Sequence, residues 1–446
     1  MLSTPRRVRS RILRRSPSKI PPIRKRTKPT TMSNRVIINK GKVGISILGG
    51  YEKISALVGA YGAISGPSGE LAPGIAVQFR NAEEAEGYGV SGNALLQRHI
   101  SEYFRVAAVG GGGASLYVLN LDNSGGTFAD LVNDDAVRQM VATADGQIFN
   151  IAFDCIPAAA TLVDGLNIET LPAMKAAQAF ADWCWDTNRP LHCVVSGSGY
   201  GGPAAAALDL RAITESGAAV ELSQVSLCIG QDWDFADALP DAQKKYADVG
   251  TLLGCMAAQP VSYNIGEVQT MSLTNAPRGV WLNAALCSHE KIRDVEAQLD
   301  TLNAKGYIYG EYYSGQVVFN DDHVCAPVKI DAEGNMNEHT MALSRTNAKV
   351  KRELYKVYLP KIKSTVPVDP DSGKLGTGML KYFEGIGNDV FGRLQNAAEI
   401  SGGITTVDPE SNLLYGDKEL KVFYDWVPMG TISRIKGTVN IKRALQ

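Results

Sequence analysis

Three glycines in the stretch HCVVSGSGYGGPAAAAL have the spacing of a cofactor-binding loop. Gly197, Gly199 and Gly202 fit G-x-G-x-x-G, after an apolar strand and before an alanine-rich stretch that predicts a helix. There, glycines let the backbone approach a dinucleotide, and the helix N-terminus binds its pyrophosphate. The acid expected about 20 residues later is badly placed, because Glu221 precedes the next predicted strand and Asp232 follows it. A tight glycine-rich turn is the favoured interpretation, and a dinucleotide-binding oxidoreductase is the alternative.

Other candidate chemistry is weaker. The segment NDDHVC groups Asp321, Asp322, His323 and Cys325, but one short cluster offers few usable metal ligands, so we predict a solvated turn. The run GGGGAS lacks the lysine of a P-loop, and no G-x-S-x-G elbow is present. We therefore predict a protein that is not an enzyme, with no catalytic residues, no cofactor and no metal site.

The charge of the 446-residue chain is unevenly distributed. Residues 1–31 contain 11 Lys/Arg and no acid, so residues 32–446 hold the remaining 34 of 45 basic side chains against all 46 acidic ones. The leader fits an organelle transit peptide, a nucleic-acid-binding arm or translated sequence upstream of a start at Met32. We favour the upstream start and predict a basic disordered leader. Because the rest of the chain is acidic, we predict no nucleic-acid partner.

The cysteines and the lengths of the apolar runs bear on the cellular environment of the protein. None of the seven cysteines forms a C-x-x-C pair, and most lie in apolar runs such as LHCVV. Buried free thiols in a reducing compartment are expected. No apolar run reaches the ~18 residues of a membrane span, so we predict no direct membrane insertion.

Hydrophobic periodicity divides the chain into two kinds of structure. Strands alternate with helices over about 105–330, which predicts an α/β domain with a largely parallel sheet. After about 335, two helices precede three strands, which predicts a compact α+β unit. The predicted helices cover 94–107, 171–188, 203–217, 343–358 and 379–402, and the predicted strands cover 115–121, 148–157, 191–197, 224–230, 404–407, 419–427 and 431–445.

The end of the chain, VPMGTISRIKGTVNIKRALQ, predicts a strand with no partner. Val439 and Ile441 alternate with Asn440 and Lys442, the period of a strand with one buried face. No later strand is available for a hairpin, so its main-chain groups must pair with another sheet edge. That edge belongs either to this chain or to a neighbouring subunit.

The carboxy-terminal part resembles the contractile tail sheath proteins of bacteriophages and related contractile injection systems. The resemblance is clearest over 245–446, weaker over 32–245 and absent from the leader. It is carried, in order, by DVGTLLGCMAAQPVSYNIGEV, by the segment from RGVWLNAALCSHEKIRDVEAQLDTLNAKG to NDDHVCA, by ALSRTNAKVKRELYKVYLPKIKSTVPVD, and by GDKELKVFYDWVPMGTISRIKGTVNIKRAL with its VPMGT turn.

The resemblance implies a domain organisation and an assembly role for specific residues. The expected division is the leader 1–31, an extended arm and linker 32–104, an outer α/β domain 105–334, and an inner sheath domain 335–446 that ends in a strand donated to a neighbour. The implied intersubunit strand is Thr438, Val439, Asn440, Ile441 and Lys442; the implied N-terminal arm contains Val36, Ile37, Ile38, Val43 and Ile45; the implied tube-facing helix carries Arg345, Lys349, Lys351, Arg352 and Lys356.

The same resemblance implies the function and the partners. The chain would polymerise helically with itself, as stacked hexameric rings, around an inner tail tube, and would contract to drive the tube through a target envelope. Other expected partners are baseplate and tail terminator proteins. The expected location is the tail of a virion or contractile particle, assembled in the bacterial host cytoplasm.

Overall fold

The computed structural model describes residues 50–158, 160–416 and 418–441. The helices are α1 Ala82–Gly87, α2 Ala94–Ala107, α3 Phe128–Asn133, α4 Asp135–Thr143, α5 Thr170–Asp186, α6 Trp233–Asp237, α7 Val249–Ala258, α8 Glu296–Ala304, α9 Met341–Tyr358 and α10 Thr377–Asn396. The strands are β1 Ile54–Gly59, β2 Ser65–Gly66, β3 Gly69–Glu70, β4 Ala76–Phe79, β5 Ser115–Asn120, β6 Asn150–Asp154, β7 Leu162–Val163, β8 Leu166–Asn167, β9 His192–Ser196, β10 Thr214–Glu215, β11 Ala218–Ala219, β12 Val225–Cys228, β13 Gly230–Asp232, β14 Ala284–Leu286, β15 Glu290–Lys291, β16 Gly310–Tyr313, β17 Gln316–Phe319, β18 Ile400–Val407 and β19 Val422–Pro428.

A six-stranded sheet with the order β12-β9-β6-β1-β5-β4 forms the centre of the fold. Five strands are parallel, and β4 pairs antiparallel with β5 at one edge. Strands β6, β9 and β12 are buried along their whole length. Their near-continuous apolar sequences fit this position, because a parallel sheet is covered on both faces. The predicted, largely parallel α/β sheet is confirmed.

Neighbouring residues of β9 show which helices cover the two faces. The imidazole of His192 lies 3.0 Å from the hydroxyl of Ser344 in α9, whereas the thiol of Cys193 points to the carbonyl of Ala177 in α5. Successive side chains of a strand point to opposite faces, so α9 and α5 cover opposite sides of the sheet. Helix α9, although its sequence places it in the separate C-terminal unit, therefore also belongs to the packing of the central sheet.

Most predicted elements are present, and two differences concern the body of the fold. The predicted helix over 203–217 is wrong, because residues 203–213 form turns and lead into the short hairpin β10–β11. Tertiary contacts use the backbone groups that a helix would need. The N–H of Leu208 donates to the carbonyl of Asp164, and the ammonium of Lys305 binds the carbonyl of Ala204. These contacts outweigh the helix propensity of the alanines.

The second difference is where the α/β layer begins. Strand β1 lies in the centre of the sheet and β4 at its edge, although both precede the predicted domain start at residue 105. The expected division placed residues 32–104 in an extended arm and linker, but parallel pairing on both sides makes β1 a core strand. The assignment of outer and inner domains stays a prediction.

Among the described residues, the largest hydrophobic cluster lies in the α/β part, and the C-terminal part has a separate cluster of its own. The α/β body comprises residues 50–340, and the C-terminal module comprises residues 350–428. The module packs one face of the antiparallel β18–β19 hairpin against α10 and the second half of α9. Its own core contains six buried side chains, namely Val350, Leu354, Val390, Phe391, Leu394 and Ile400.

Candidate assembly surface

The glycine loop after β9 is a turn and not a phosphate cradle. Gly199 and Gly202 have positive φ angles of 79° and 94°, but no helix begins after them. The N–H groups of the first two glycines, which would approach a phosphate, already have partners within the chain. Gly197 donates to the carbonyl of Cys228 at 2.7 Å, and Gly199 donates to that of Lys245 at 2.8 Å. The dinucleotide alternative therefore loses both the helix N-terminus and the free amides that it requires.

The segment around His323 is buried, so the predicted solvated turn is wrong. Asp322 and His323 are each 4% exposed, and Cys325 is fully buried. His323 Nδ1 lies 2.6 Å from a guanidinium nitrogen of Arg211, and Nε2 lies 2.7 Å from the side-chain oxygen of Asn303. Burial, together with Arg211, lowers the pKa of His323 to about 4. Among the described residues, no group of three His, Cys, Asp or Glu side chains is arranged to hold a metal.

The same segment fastens the start of α9. The main-chain carbonyl of Asp322 accepts from the N–H of Met341, and its carboxylate accepts from the N–H of Ala342. The amide of Asn264 donates to both Asp321 and Asp322, which holds the two carboxyl groups together. Burial and then the neighbouring Asp321 raise the pKa of Asp322 well above its usual range. These groups act as a structural anchor between the body and α9.

A buried charge network lies beside the central sheet and was not identified from the sequence. The guanidinium of Arg98 in α2 lies 3.0 Å from Asp232 and 3.1 Å from Asp248. The neighbouring imidazole of His99 lies 3.3 Å from Asp154 at the carboxyl end of β6, and 3.7 Å from Asp248. All five side chains are buried.

The charges of this network are paired with one another. Burial opposes protonation of His99, but Asp154 and Asp248 outweigh it and raise its pKa to about 9. Burial alone would raise the pKa of Asp248, yet Arg98 and His99 hold it below its usual range. Ligands of α/β proteins often bind at the carboxyl ends of parallel strands, but here Tyr61 fills that position and donates to Asp154 at 3.0 Å. The network therefore joins α2, β6 and the start of α7.

The sequence gives one indication of this network, namely that two of its charged residues lie between apolar positions of a predicted helix. Arg98 and His99 lie within the predicted amphipathic helix, where charged residues normally mark the solvated face. Both nevertheless lie between apolar positions, and Leu96 and Ile100 are buried. A helix with so many core-facing positions also buries some polar side chains. Those side chains need oppositely charged partners from other elements of the fold.

The basic side chains of α9 are directed largely into the chain. Arg345 is 0% exposed, and its guanidinium donates to the carbonyls of Met256 and Gln259. Burial lowers the pKa of Arg345 to about 10. A fully buried side chain is not part of a surface that contacts a tube, so Arg345 does not fit the predicted tube-facing role.

Three more of these cations make contacts inside the chain. Lys349 pairs with Glu399 and Glu52, and Arg352 donates to the carbonyls of Ile148 and Pro190. The ammonium of Lys351 lies 4.1 Å from the ring centroid of Trp185 and donates to its carbonyl, and burial lowers the pKa of Lys351 to about 8. Lys356 is exposed. A contact between α9 and an inner tube stays a prediction that concerns the exposed Lys356 and not the cations directed into the body.

The β18–β19 hairpin has one covered face and one open face. On the covered face, Gly387 of α10 approaches Thr405 so closely that a Cβ on this glycine would clash with the Thr405 hydroxyl. On the open face, Ile404, Phe423 and Val427 are 57%, 55% and 61% exposed. A two-stranded sheet is marginal on its own, and exposed apolar side chains are typical of an interaction surface.

The two edges of the hairpin also differ. The N–H groups of Thr405 and Val407 on the outer edge of β18 donate to Asn388 and Glu384 of α10. Strand β19 pairs only with β18 among the described strands. Because Thr405 donates away from β19, its register partner Tyr424 also directs its main-chain groups away from β18. The edge of β19 is therefore the open one.

The segment after β19, residues 429–441, is exposed and contains no strand within this chain. Ile432, Ile435, Val439 and Ile441 are between 81% and 102% exposed. The predicted strand at 431–445 is therefore not formed by residues 431–441 inside the subunit, and pairing with a neighbour stays a prediction. Of the predicted intersubunit residues, Thr438, Val439, Asn440 and Ile441 lie in this segment; Lys442 and the whole predicted arm, with Val36, Ile37, Ile38, Val43 and Ile45, lie outside the described residues, as does the leader 1–31.

The cysteines are free thiols, as the sequence predicts. All seven are unpaired, six of them are buried, and Cys155 is half-buried. Burial raises the pKa of their thiols, for example to about 12 for Cys287. No helix in the described part of the chain has the length and apolar character needed to cross a membrane.

Comparisons with known proteins connect this geometry to a family. The DUF2586, N-terminal domain matches residues 78–317, more than half of the chain. No curated protein matches the sequence. A chain in the cryo-EM structure of the anti-feeding prophage (AFP) baseplate, 6-fold symmetrised, has a TM-score of 0.53 at 13% identity, with 92% of this chain and 99% of that chain covered.

Two further structures are similar. One is the AFP helical sheath in its contracted state, with a TM-score of 0.50, 13% identity, and coverage of 93% of this chain and 100% of that chain. The other is the sheath tail protein from Desulfitobacterium hafniense, with a TM-score of 0.48, 12% identity, and coverage of 84% and 96%. The predicted resemblance to contractile tail sheath proteins is confirmed at the level of the fold. The chain belongs to the DUF2586 family.

Proposed function

We propose that this protein is the structural subunit of a contractile tail sheath. In this proposal, copies of the chain polymerise helically, as stacked hexameric rings, around an inner tail tube. Contraction then drives the tube through a target envelope, as subunits move together between two lattice arrangements. The tube protein, the baseplate and the tail terminator are the proposed partners, and the tail of a phage or contractile particle is the proposed location.

One observation carries the proposal. The C-terminal module has an open strand edge and an apolar open face, and residues 429–441, which follow β19, are exposed and include the alternating pair Val439 and Ile441. An acceptor and a donor on different parts of one surface form a head-to-tail contact, which repeats without closing on itself and generates a helical polymer. Main-chain hydrogen bonds of the added strand would join the subunits.

The fold likeness supports this choice over an enzyme. It extends over 92–93% of the chain to chains of the AFP baseplate and the contracted AFP helical sheath. The glycine loop, which alone favoured an oxidoreductase, has the amides of Gly197 and Gly199 bonded inside the chain, and no helix begins after it. A depression of about 350 Å³ lies at the connection between α9 and α10, and its lining includes none of the three glycines. No described feature favours a second function.

Deletion of residues 437–446 tests the proposal. The wild-type chain is expected to form hollow tubes in negative-stain electron microscopy at high protein concentration. The shortened chain is expected to stay monomeric, with unchanged circular dichroism and thermal unfolding, because residues 437–441 make no strand within the subunit. Tubes from the shortened chain, equal in number to those of the wild type, would show that assembly does not use the C-terminal strand.

A further inference from the structure

The open face of the hairpin carries one acidic side chain in an otherwise apolar setting. Asp425 lies on β19 between Phe423 and Val427, directly opposite Ile404. It is exposed, and none of the described residues forms an ion pair or hydrogen bond with it. An exposed carboxylate without a partner does not stabilise the isolated module. It would, however, favour an added strand that places a cation beside it over one that does not.

The exposed C-terminal segment has a matching charge. In an extended strand, Arg434 and Lys436 point to one face and Ile435, Val439 and Ile441 to the other. Both cations are exposed and have no partner among the described residues. No acidic residue occurs between 429 and 446. From Arg434 to Ile441, an extended strand would therefore carry the two cations on one face and the three apolar side chains on the other, whereas Ile432 lies on the side of the cations.

We propose that Asp425 pairs with Arg434 or Lys436 of a second copy of this chain, and that this pair selects the face and register with which the C-terminal strand adds to β19. The inference rests on the proposed function, and it names the acceptor edge and the residues that position the donor. The outer edge of β18 is partly occupied by Asn388 and Glu384, which leaves β19 as the acceptor.

Physical constraints on the added strand fix its face and limit its register. Side chains of adjacent strands on one face stand about 5 Å apart at Cβ, within reach of a carboxylate and a long cationic side chain. A shift of one residue would turn Ile435 towards Asp425 and move both cations to the helix side of the sheet. A shift of four residues along the chain from Arg434 would place Thr438 beside the carboxylate. A register with Arg434 or Lys436 beside Asp425 pairs the charge and turns Ile435 of the donor towards the helix side of the sheet.

A charge exchange within one chain tests the pair. Asp425→Lys alone, and the double change Arg434→Glu with Lys436→Glu alone, are each expected to raise the protein concentration needed for tube formation by about fivefold or more, because each places like charges together. The triple variant is expected to return to within about twofold of the wild type. The matched control is Glu333→Lys, which reverses an exposed charge in a turn of the α/β body, and it is expected to leave tube formation unchanged.

Three outcomes separate this inference from the proposed function. Restoration in the triple variant supports the pair. If deletion of 437–446 abolishes tubes but neither charge reversal affects them, the pair is overturned and strand donation stands. If Asp425→Lys is restored by Lys442→Glu and not by the changes at 434 and 436, the assignment of the cation is overturned. Unfolding in urea, measured for each variant, identifies any loss of tubes that comes from misfolding.

Discussion

In the α/β body, the central strands are paired on both sides and buried, whereas in the C-terminal module the two-stranded hairpin is covered on one face only. Strands β6 and β9 have a strand on either side and are buried along their whole length. The buried ions of the body are paired, as Arg98 is with Asp232 and Asp248. The β18–β19 hairpin has a helix on one face, apolar side chains open to solvent on the other, and an open edge.

In the proposed sheath, this difference would give the two regions separate roles in a polymerising subunit. A body that is complete in itself can fold before assembly and keep its shape during a change of lattice. A module that exposes an edge and an apolar face gains stability when a neighbour covers them. Helix α9 connects the two, since its first half is anchored by Asp322 and its second half belongs to the module core.

The largest expected effect concerns the two buried arginines and tests whether the body depends on paired charge. Arg98→Met should lower the free energy of unfolding by about 3–5 kcal/mol, because Asp232 and Asp248 would stay buried without their partner. Arg345→Met should lower it by less than about 1 kcal/mol, because Arg345 bonds only to carbonyls and two of its nitrogens have no partner among the described residues. Urea unfolding measures both.

A surface ion pair provides the control for this experiment. Lys374→Ala removes an exposed pair with Glu410 and should change the free energy of unfolding by no more than about 0.5 kcal/mol. Equal losses for the two arginine variants would contradict the distinction between charge-paired and carbonyl-bound guanidinium groups.

A second prediction concerns the cores of the two regions. Phe391→Ala should lower the free energy of unfolding by about 3 kcal/mol, and because Phe391 belongs to a small cluster separate from the main core, the loss should appear as local opening. Hydrogen exchange should accelerate in α10, β18 and β19 and stay unchanged in β6 and β9. The matched variant Phe153→Ala, in the centre of the body, should instead lower the global stability. Uniform acceleration in both variants would show that the module does not open separately.

The third prediction places an alkaline-sensitive group in the body. The folded-state pKa of His99, about 9, lies above its unfolded value of about 6.5, so its stabilisation is complete below pH 6.5 and is lost as the pH rises through 9. The difference in free energy of unfolding between wild type and His99→Gln should therefore shrink by up to about 3 kcal/mol between pH 6 and pH 9.5.

Comparing the wild type with His99→Gln cancels other groups that also lower the free energy of unfolding as the pH rises. Buried thiols, whose pKa values are raised, also change the stability of the folded chain as the pH rises, but they are present in both proteins. The module contains no histidine, so its hydrogen exchange should not follow this titration. A difference that stays constant from pH 6 to pH 9.5 would mean that the folded-state pKa of His99 is not raised above its unfolded value.

Hydrophobic periodicity predicted the helices and strands correctly where the apolar positions of the sequence are also the buried positions of the structure. The helix over 94–107 coincides with α2, and the strands predicted at 115–121 and 191–197 contain β5 and β9. The helix predicted over 203–217 failed because its polar backbone groups are bonded to distant residues, which a local propensity does not register. The centre of the sheet was missed at β1 for a similar reason, since parallel partners come from far along the chain.

The sequence by itself determined the α/β alternation, the free thiols, and the unpartnered alternation near the C-terminus, because each depends on the order of apolar residues alone. Only the tertiary structure decided which charged side chains are buried and which are exposed to solvent. The basic residues of α9 were expected on a surface, yet Arg345 and Arg352 bond to carbonyls of the body. Whether a charged side chain is solvated or buried depends on the partners that the fold brings to it, and those partners are distant in sequence.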